Sequence, residues 1–189
     1  MIKQTLGKFI QQCVTIDDNE LELILSKFYR KTALRHQVLV NFGTVCKEFY
    51  FIVSGGVRVF FLSEKGQEKT NHIALENTII TALSSFITQK ESLEVVESFE
   101  ESELLYISHD DFYDLVHTSK AFELFYIQLL EIAYITKVTR AQMRMTQTAK
   151  ERFIIEHTNN PKFLNRLPNK IFASYLDVSQ ETLSRLKSK

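Results

Sequence analysis

The hydrophobic period of the chain changes twice, and those two changes constrain the fold more than any other feature. Over the first thirty residues Leu6, Phe9, Ile10, Leu21, Ile24, Leu25 and Phe28 recur at helical spacings of three and four. Asp17 and Asp18 are N-cap candidates for the second helical piece. From about Leu34 to Ile107 short runs rich in β-branched and aromatic residues alternate with turn signals. Val38–Val40 ends at Asn41-Phe42-Gly43. Phe49–Val53 and Val57–Leu62 flank the tight turn Ser54-Gly55-Gly56, and Lys69–Leu75, Leu93–Val96 and Leu104–Ile107 complete the set. Many short strands with regular turns predict a small barrel or sandwich.

At Ser108 the helical period returns. Ser108-His109-Asp110-Asp111-Phe112 reads as a helix start with acids suited to the helix dipole. A long helix is predicted from about Lys120 to Met145 with two apolar stripes. Phe122, Phe125, Leu129 and Ile132 form a heptad seam, softening to Thr136 and Thr139, and Ile127, Leu130, Tyr134, Val138 and Met145 form the other. A helix apolar on two sides packs against two things. One is the barrel, the other a second copy of the chain, with the Phe122–Ile132 seam expected between copies.

Composition removes several function classes. The chain has 189 residues, 44% hydrophobic and 24% charged, enough to bury a core without staples. Cys13 and Cys46 make no close-spaced motif, which excludes a disulfide scaffold, a four-Cys zinc site and a cysteine-ligated iron–sulfur cluster. The five glycines all fall at or before Gly66, and none builds a P-loop or a dinucleotide fingerprint. His36, His72, His109, His117 and His157 are scattered without ligand spacing, so no metal and no cofactor is expected. No Ser/His/Asp or Cys/His constellation is recognisable, so no catalysis is expected either. Without a leader-like apolar run or a membrane span, the expectation is a cytoplasmic chain with no membrane partner.

Net charge is zero over the chain but not over its parts. Residues 1–136 hold 12 Lys+Arg and 19 Asp+Glu; residues 137–189 hold 11 and 4. A basic C-terminal part points to a polyanion. In that part Asn159-Asn160-Pro161 stops a helix that begins near Gln147. Pro168 then opens a helix carrying Ile171, Ala173 and Leu176. Asp177 marks the turn, and Ser179 caps a last helix holding Leu183. Helix, short turn, helix with this patterning is a helix-turn-helix.

Ile171-Phe172-Ala173-Ser174-Tyr175-Leu176 with Val178-Ser179-Gln180-Glu181-Thr182-Leu183-Ser184-Arg185 resembles the DNA-binding run of the Crp/Fnr superfamily of bacterial transcription regulators, with Asp177 at the family's glycine. Phe49-Tyr50-Phe51-Ile52-Val53-Ser54-Gly55-Gly56-Val57-Arg58-Val59 resembles the hairpin of that family's cyclic-nucleotide-binding β-roll. The resemblance implies an α+β chain in three parts. Residues 1–118 would form a jelly-roll-like β-roll with N-terminal helices, 119–145 a dimerisation helix, and 146–189 an all-α helix-turn-helix domain. It implies a homodimer that reads palindromic double-stranded DNA, with RNA polymerase a candidate further partner and no effector marked by a motif.

The resemblance breaks at the phosphate cassette. The ribose-binding Glu and the phosphate-binding Arg fall near Ala82-Leu83 and Glu91-Ser92, where neither residue is present. Between Ala74 and Leu104 Lys90 is the lone basic residue among seven glutamates, which would repel a phosphate, so no response to cyclic AMP or cyclic GMP is expected. Ser84, Ser85, Phe86 and Thr88 are expected in a solvated or domain-facing loop there. The chain stops at Lys189 without the family's β-hairpin wing, as in a shorter branch of Bacteroidetes-type regulators.

On the last helix, Gln180 can pair with adenine, Glu181 can accept from cytosine and Arg185 can pair with guanine, with Ser179 and Ser184 beside them. Thr182, Lys170, Lys187 and Lys189 are candidates for phosphate contacts. Two alternatives stand beside this reading. One is a β-roll that binds a small ligand and carries a degenerate DNA-binding end; the other, less favoured, is a cupin-like metal enzyme.

Overall fold

The computed structural model describes residues 2–188. The element order is α1 (Ile2–Cys13), α2 (Asp18–Ser26), β1 (Tyr29–Ala33), β2 (Val38–Val40), β3 (Glu48–Ser54), β4 (Val57–Leu62), β5 (Glu68–Ala74), β6 (Ile79–Ile80), α3 (Leu83–Thr88), β7 (Glu94–Ser98), β8 (Ser102–Ser108), α4 (His109–Thr118), α5 (Lys120–Thr146), α6 (Ala149–Asn159), α7 (Lys162–Arg166), α8 (Asn169–Leu176) and α9 (Gln180–Lys187). The strands form two four-stranded antiparallel sheets, ordered β1-β8-β3-β6 and β2-β7-β4-β5. They make a β-roll, and the whole is an α+β chain with helices before and after it.

Caps fix the helix ends. Asp17 accepts from the Glu20 N–H at the start of α2, Ser108 from Asp111 at the start of α4, and Ser119 from Phe122 at the start of α5. Each satisfies an orphan donor of a first turn, a gain of about 1 kcal/mol. Thr148 and Glu151 complete a capping box on α6.

The first sheet is covered on both faces. Tyr50 and Phe51, neighbours on β3, are 1% and 0% exposed. Neighbouring strand residues point to opposite faces, and both are buried here because α1, α4 and α5 cover the second face: Phe9 meets Phe51 and Phe125, and Phe112 meets Phe49 and Phe122. Phe60 and Phe61 on β4 do alternate, at 5% and 37% exposed.

That cover corrects the assignment of the α5 stripes. Phe122 and Phe125 are 0% and 1% exposed and lie in the core shared with α1 and the first sheet. Leu129 packs partly against the same core. They are spent inside the chain and cannot form a seam between copies. Ile132, the seam's fourth residue, is 58% exposed; in the other stripe Leu130 packs partly against the core, while Ile127, Tyr134, Val138 and Met145 are exposed, Tyr134 at 71% and Met145 at 85%.

Two short elements replace what was expected of their segments. Tyr29 and Arg30, read as the end of a helical stretch, begin the edge strand β1, paired with β8 from Tyr29–Tyr106 to Ala33–Ser102. The segment expected as a solvated loop is α3, with Ser85 and Phe86 buried and the Phe86 ring against Phe49 and Phe112.

Candidate nucleic-acid interface

The turn between α8 and α9 is a Schellman closure. Asp177 sits in the left-handed region at φ 54° and ψ 51°. The Val178 N–H donates to the Ala173 carbonyl at 3.0 Å, and the Asp177 N–H to Ser174 at 3.2 Å. The Lys69 ammonium lies 3.1 Å from the Asp177 carboxylate. Beyond the turn, Ser179 accepts from the Thr182 N–H and starts α9. Leu183, fully buried, is the anchor that seats α9 on α8 in a cluster with Phe172, Phe163 and Leu176.

That seating fixes which side chains face outward. Ser179, Gln180, Glu181, Ser184, Arg185 and Lys187 are exposed, and Thr182 is half-buried with its hydroxyl 3.2 Å from that of Ser179. Glu181 and Arg185 share a face one turn apart. The Ser179 hydroxyl, and less strongly its own backbone N–H and Arg185, hold the Glu181 carboxyl below the usual range, so it is ready to accept. The lysines expected at phosphates are less uniform. Lys187 donates to the Asn169 side-chain oxygen at 2.7 Å, and Lys170 lies 3.1 Å from Glu68 on the roll. Lys189 lies outside the described residues.

The helix-turn-helix is bolted to the roll by contacts that sequence spacing could not reveal. The Ser174 hydroxyl accepts from the Thr70 N–H at 2.8 Å and donates to the Glu68 carbonyl at 2.9 Å, so a side chain of α8 pairs with the free edge of β5. Ile73 and Phe99 of the roll lie in the buried cluster of the C-terminal helices. Arg166 at the end of α7 reaches the turns of the roll. It donates to Glu76 at 2.7 Å and to the Gly55 carbonyl at 3.1 Å, and it pairs with Glu100. Gly55 is needed there: at φ +92° a Cβ would collide with the backbone and hydroxyl of the Glu101-Ser102 turn. Arg166 keeps Glu76 below the ordinary carboxylate range. Burial alone would raise Glu68, but Arg58 and Lys170 together lower it.

The cassette segment is closed upon itself. The Ser85 hydroxyl accepts from the Cys46 N–H at 2.9 Å and donates to the Lys90 carbonyl at 2.5 Å. The Ser92 hydroxyl is spent on Glu94. Ala82 is fully buried, and Gln89, left-handed at φ 52°, ties back to Cys46 and Phe86. Among the described residues no cluster of His, Cys, Asp and Glu could hold a metal, and no helix is long and apolar enough to cross a membrane.

The sequence profile of the cyclic nucleotide-binding domain matches residues 30–119. No curated protein compared with the chain matches it. Among solved structures, the catabolite activator protein of Thermus thermophilus is 20% identical with a TM-score of 0.60, covering 92% of this chain and 83% of that one. A c-di-GMP-responsive global regulator from Xanthomonas campestris is 15% identical with a TM-score of 0.68, covering 91% and 90%. A Crp/Fnr-family regulator from Eubacterium rectale is 15% identical with a TM-score of 0.70, covering 90% and 82%. At these identities the likeness is one of fold. Residues 30–119 match the cyclic nucleotide-binding domain by sequence, and the whole chain shares the fold of these solved regulators.

Proposed function

We propose that the protein is a sequence-specific DNA-binding transcription regulator of Crp/Fnr type. It acts as a homodimer through α5 on a palindromic operator and is not an enzyme. The division into a roll with its N-terminal helices (1–118), a dimerisation helix (119–145) and a DNA-binding domain (146–189) goes with that reading. The observation that carries it is the outward face of α9. Gln180, Glu181, Ser184 and Arg185 stand clear of the protein on a helix seated by one buried leucine, at a size suited to a major groove. Ser179 and Thr182 flank that face, and Lys187 and Lys170 supply positive charge at its margins.

The closed cassette supports a regulator that does not answer to cyclic AMP or cyclic GMP. Its serine hydroxyls already have backbone partners, and no arginine stands at the phosphate position. Selection of bound duplexes from a random pool by the full-length protein tests the central reading. The expected product is a near-palindrome with half-sites about one helical turn, roughly 34 Å, apart. Recovery of unrelated sequences, with equal affinity for all duplexes, would overturn it.

A further inference from the structure

Away from the exposed face of α9, α5, α6 and α8 meet at a small open cleft lined by Arg140, Arg144, Arg152, Glu156 and Tyr175. Its volume of about 20 Å³ admits one water-sized group, so a single oxygen of a larger anion can enter. The charges do not balance: three guanidiniums face one carboxylate. Glu156 is itself committed, receiving the Asn160 amide at 3.0 Å and lying 3.5 Å from Arg140. Arg152 donates to the carbonyls of Leu176 at 3.2 Å and Gln147 at 2.7 Å, and Arg140 to the carbonyl of Tyr175 at 3.0 Å. Those acceptors are neutral. It is the Arg140 Nη1 that faces Glu156; this nitrogen is buried and makes no hydrogen bond, with that carboxylate at 3.5 Å as its one ion-pair partner. Arg144 is exposed and makes no hydrogen bond or ion pair among the described residues.

We propose that this cleft binds a small oxyanion of the phosphate or sulfate class, held by Arg140, Arg144 and Arg152. A tetrahedral anion offers what the cleft lacks. An anion at the mouth meets Arg144 and Arg152 in charge-assisted bonds, while the buried Arg140 guanidinium beneath, with Glu156 at 3.5 Å as its one ion-pair partner, adds attraction without direct contact. Burial and the neighbouring Arg144 already push Arg140 down, which a bound anion would relieve. Arg140 and Arg152 also cap the last carbonyls of α8, so the anion would tie the C-terminal end of α5 to the helix that leads into α9. The inference concerns residues apart from the recognition face and does not depend on the proposed DNA reading.

Calorimetric titration of the full-length protein with inorganic phosphate, at constant ionic strength, tests it. One saturable site per chain is expected. Arg144→Gln should weaken it about tenfold, the loss of one charge-assisted contact. Because Arg144 is exposed and unpaired, its substitution should leave thermal unfolding in phosphate-free buffer unchanged. Lys187→Gln, outside the cleft, should bind phosphate like the wild type. Absence of saturable heat at tens of millimolar phosphate would overturn the proposal. So would equal affinity in Arg144→Gln. If Arg144→Gln instead weakened duplex binding while the wild type took up no free phosphate, the arginines would serve the DNA backbone and the free-anion site would be refuted.

Discussion

Arg185 and Lys187 stand two residues apart on one short helix, yet they should fail in different ways when removed. Arg185 is exposed beside Glu181; its Nε donates to the Glu181 carbonyl at 3.4 Å, which leaves the two terminal nitrogens to present a fork to a guanine edge. Arg185→Ala should cost about 1–3 kcal/mol on the best operator and relax the preference at one base pair of each half-site. Lys187 is a point charge at the end of the helix, so Lys187→Ala should weaken all duplexes alike and flatten the salt slope by about one unit. Binding measured on single-base operator variants at several salt concentrations separates the two; an even loss across variants for Arg185→Ala would remove its base-reading role. A different residue governs acid stability. His72 keeps some accessible surface, but burial and then the Arg140 charge lower its pKa to about 4. Its ordinary value is 6.5. Between these values the unfolded chain binds the proton that the folded chain refuses. The neutral ring therefore costs the fold nothing above pH 6.5, and acidification from there toward pH 4 destabilises, by at most about 1.4 kcal/mol per pH unit. Unfolding of His72→Gln compared with wild type across that window, so that other titrations cancel, should lose this part of the slope. Parallel curves would show that His72 does not contribute.

At the scale of elements, the contact that organises the C-terminal helices is the fork of Arg166 on Glu76, Glu100 and the Gly55 carbonyl. Arg166→Gln removes both charge pairs. The carboxylates are about a quarter to a third exposed, so the cost is near the modest end, about 1–2 kcal/mol. Hydrogen exchange should then accelerate in α7 and α8 while the sheets keep their protection; uniform acceleration would mean that the fork does not localise the docking. Helical and strand periods made the α8–α9 unit, the β3–β4 hairpin and α5 legible, because each pattern is local. What was lost is instructive. β1 hides because Tyr29-Arg30-Lys31-Thr32 is a charged edge strand: Arg30 pairs with Glu103, and Lys31 pairs with Glu48 over the rings of Tyr50 and Tyr106. The α5 stripes were both visible, but which faces inward depends on Phe9 and Phe112, distant in sequence. Arg166 gives no local signal at all, since its partners lie 66 and 90 residues away.

At the scale of the whole molecule, the proposed regulator needs two copies of α9 brought together, and the exposed apolar stripe of α5 is the surface proposed to do it. Leu124, Ile127, Tyr134, Val138 and Met145 follow an alternating three-and-four spacing, with Glu131 and Ala141 at the two remaining positions. All five apolar side chains are at least 37% exposed in the single chain. An exposed apolar stripe this long, on a helix whose other apolar face is spent in the core, favours pairing with a copy of itself about a two-fold axis. Tyr134→Asp is the probe, because Tyr134 is 71% exposed and lies outside the buried core of the protomer. The variant should stay folded, with an unchanged far-ultraviolet spectrum, yet sediment as a monomer where the wild type is a dimer. A monomer binds one half-site at a time. Without the millimolar effective concentration that a linked partner supplies, operator affinity should fall by about 10²–10⁴-fold while affinity for an isolated half-site is unchanged. A Tyr134→Asp protein that remained dimeric would move the interface elsewhere. One that was monomeric yet held the full operator as tightly as the wild type would show that the two recognition helices do not act together.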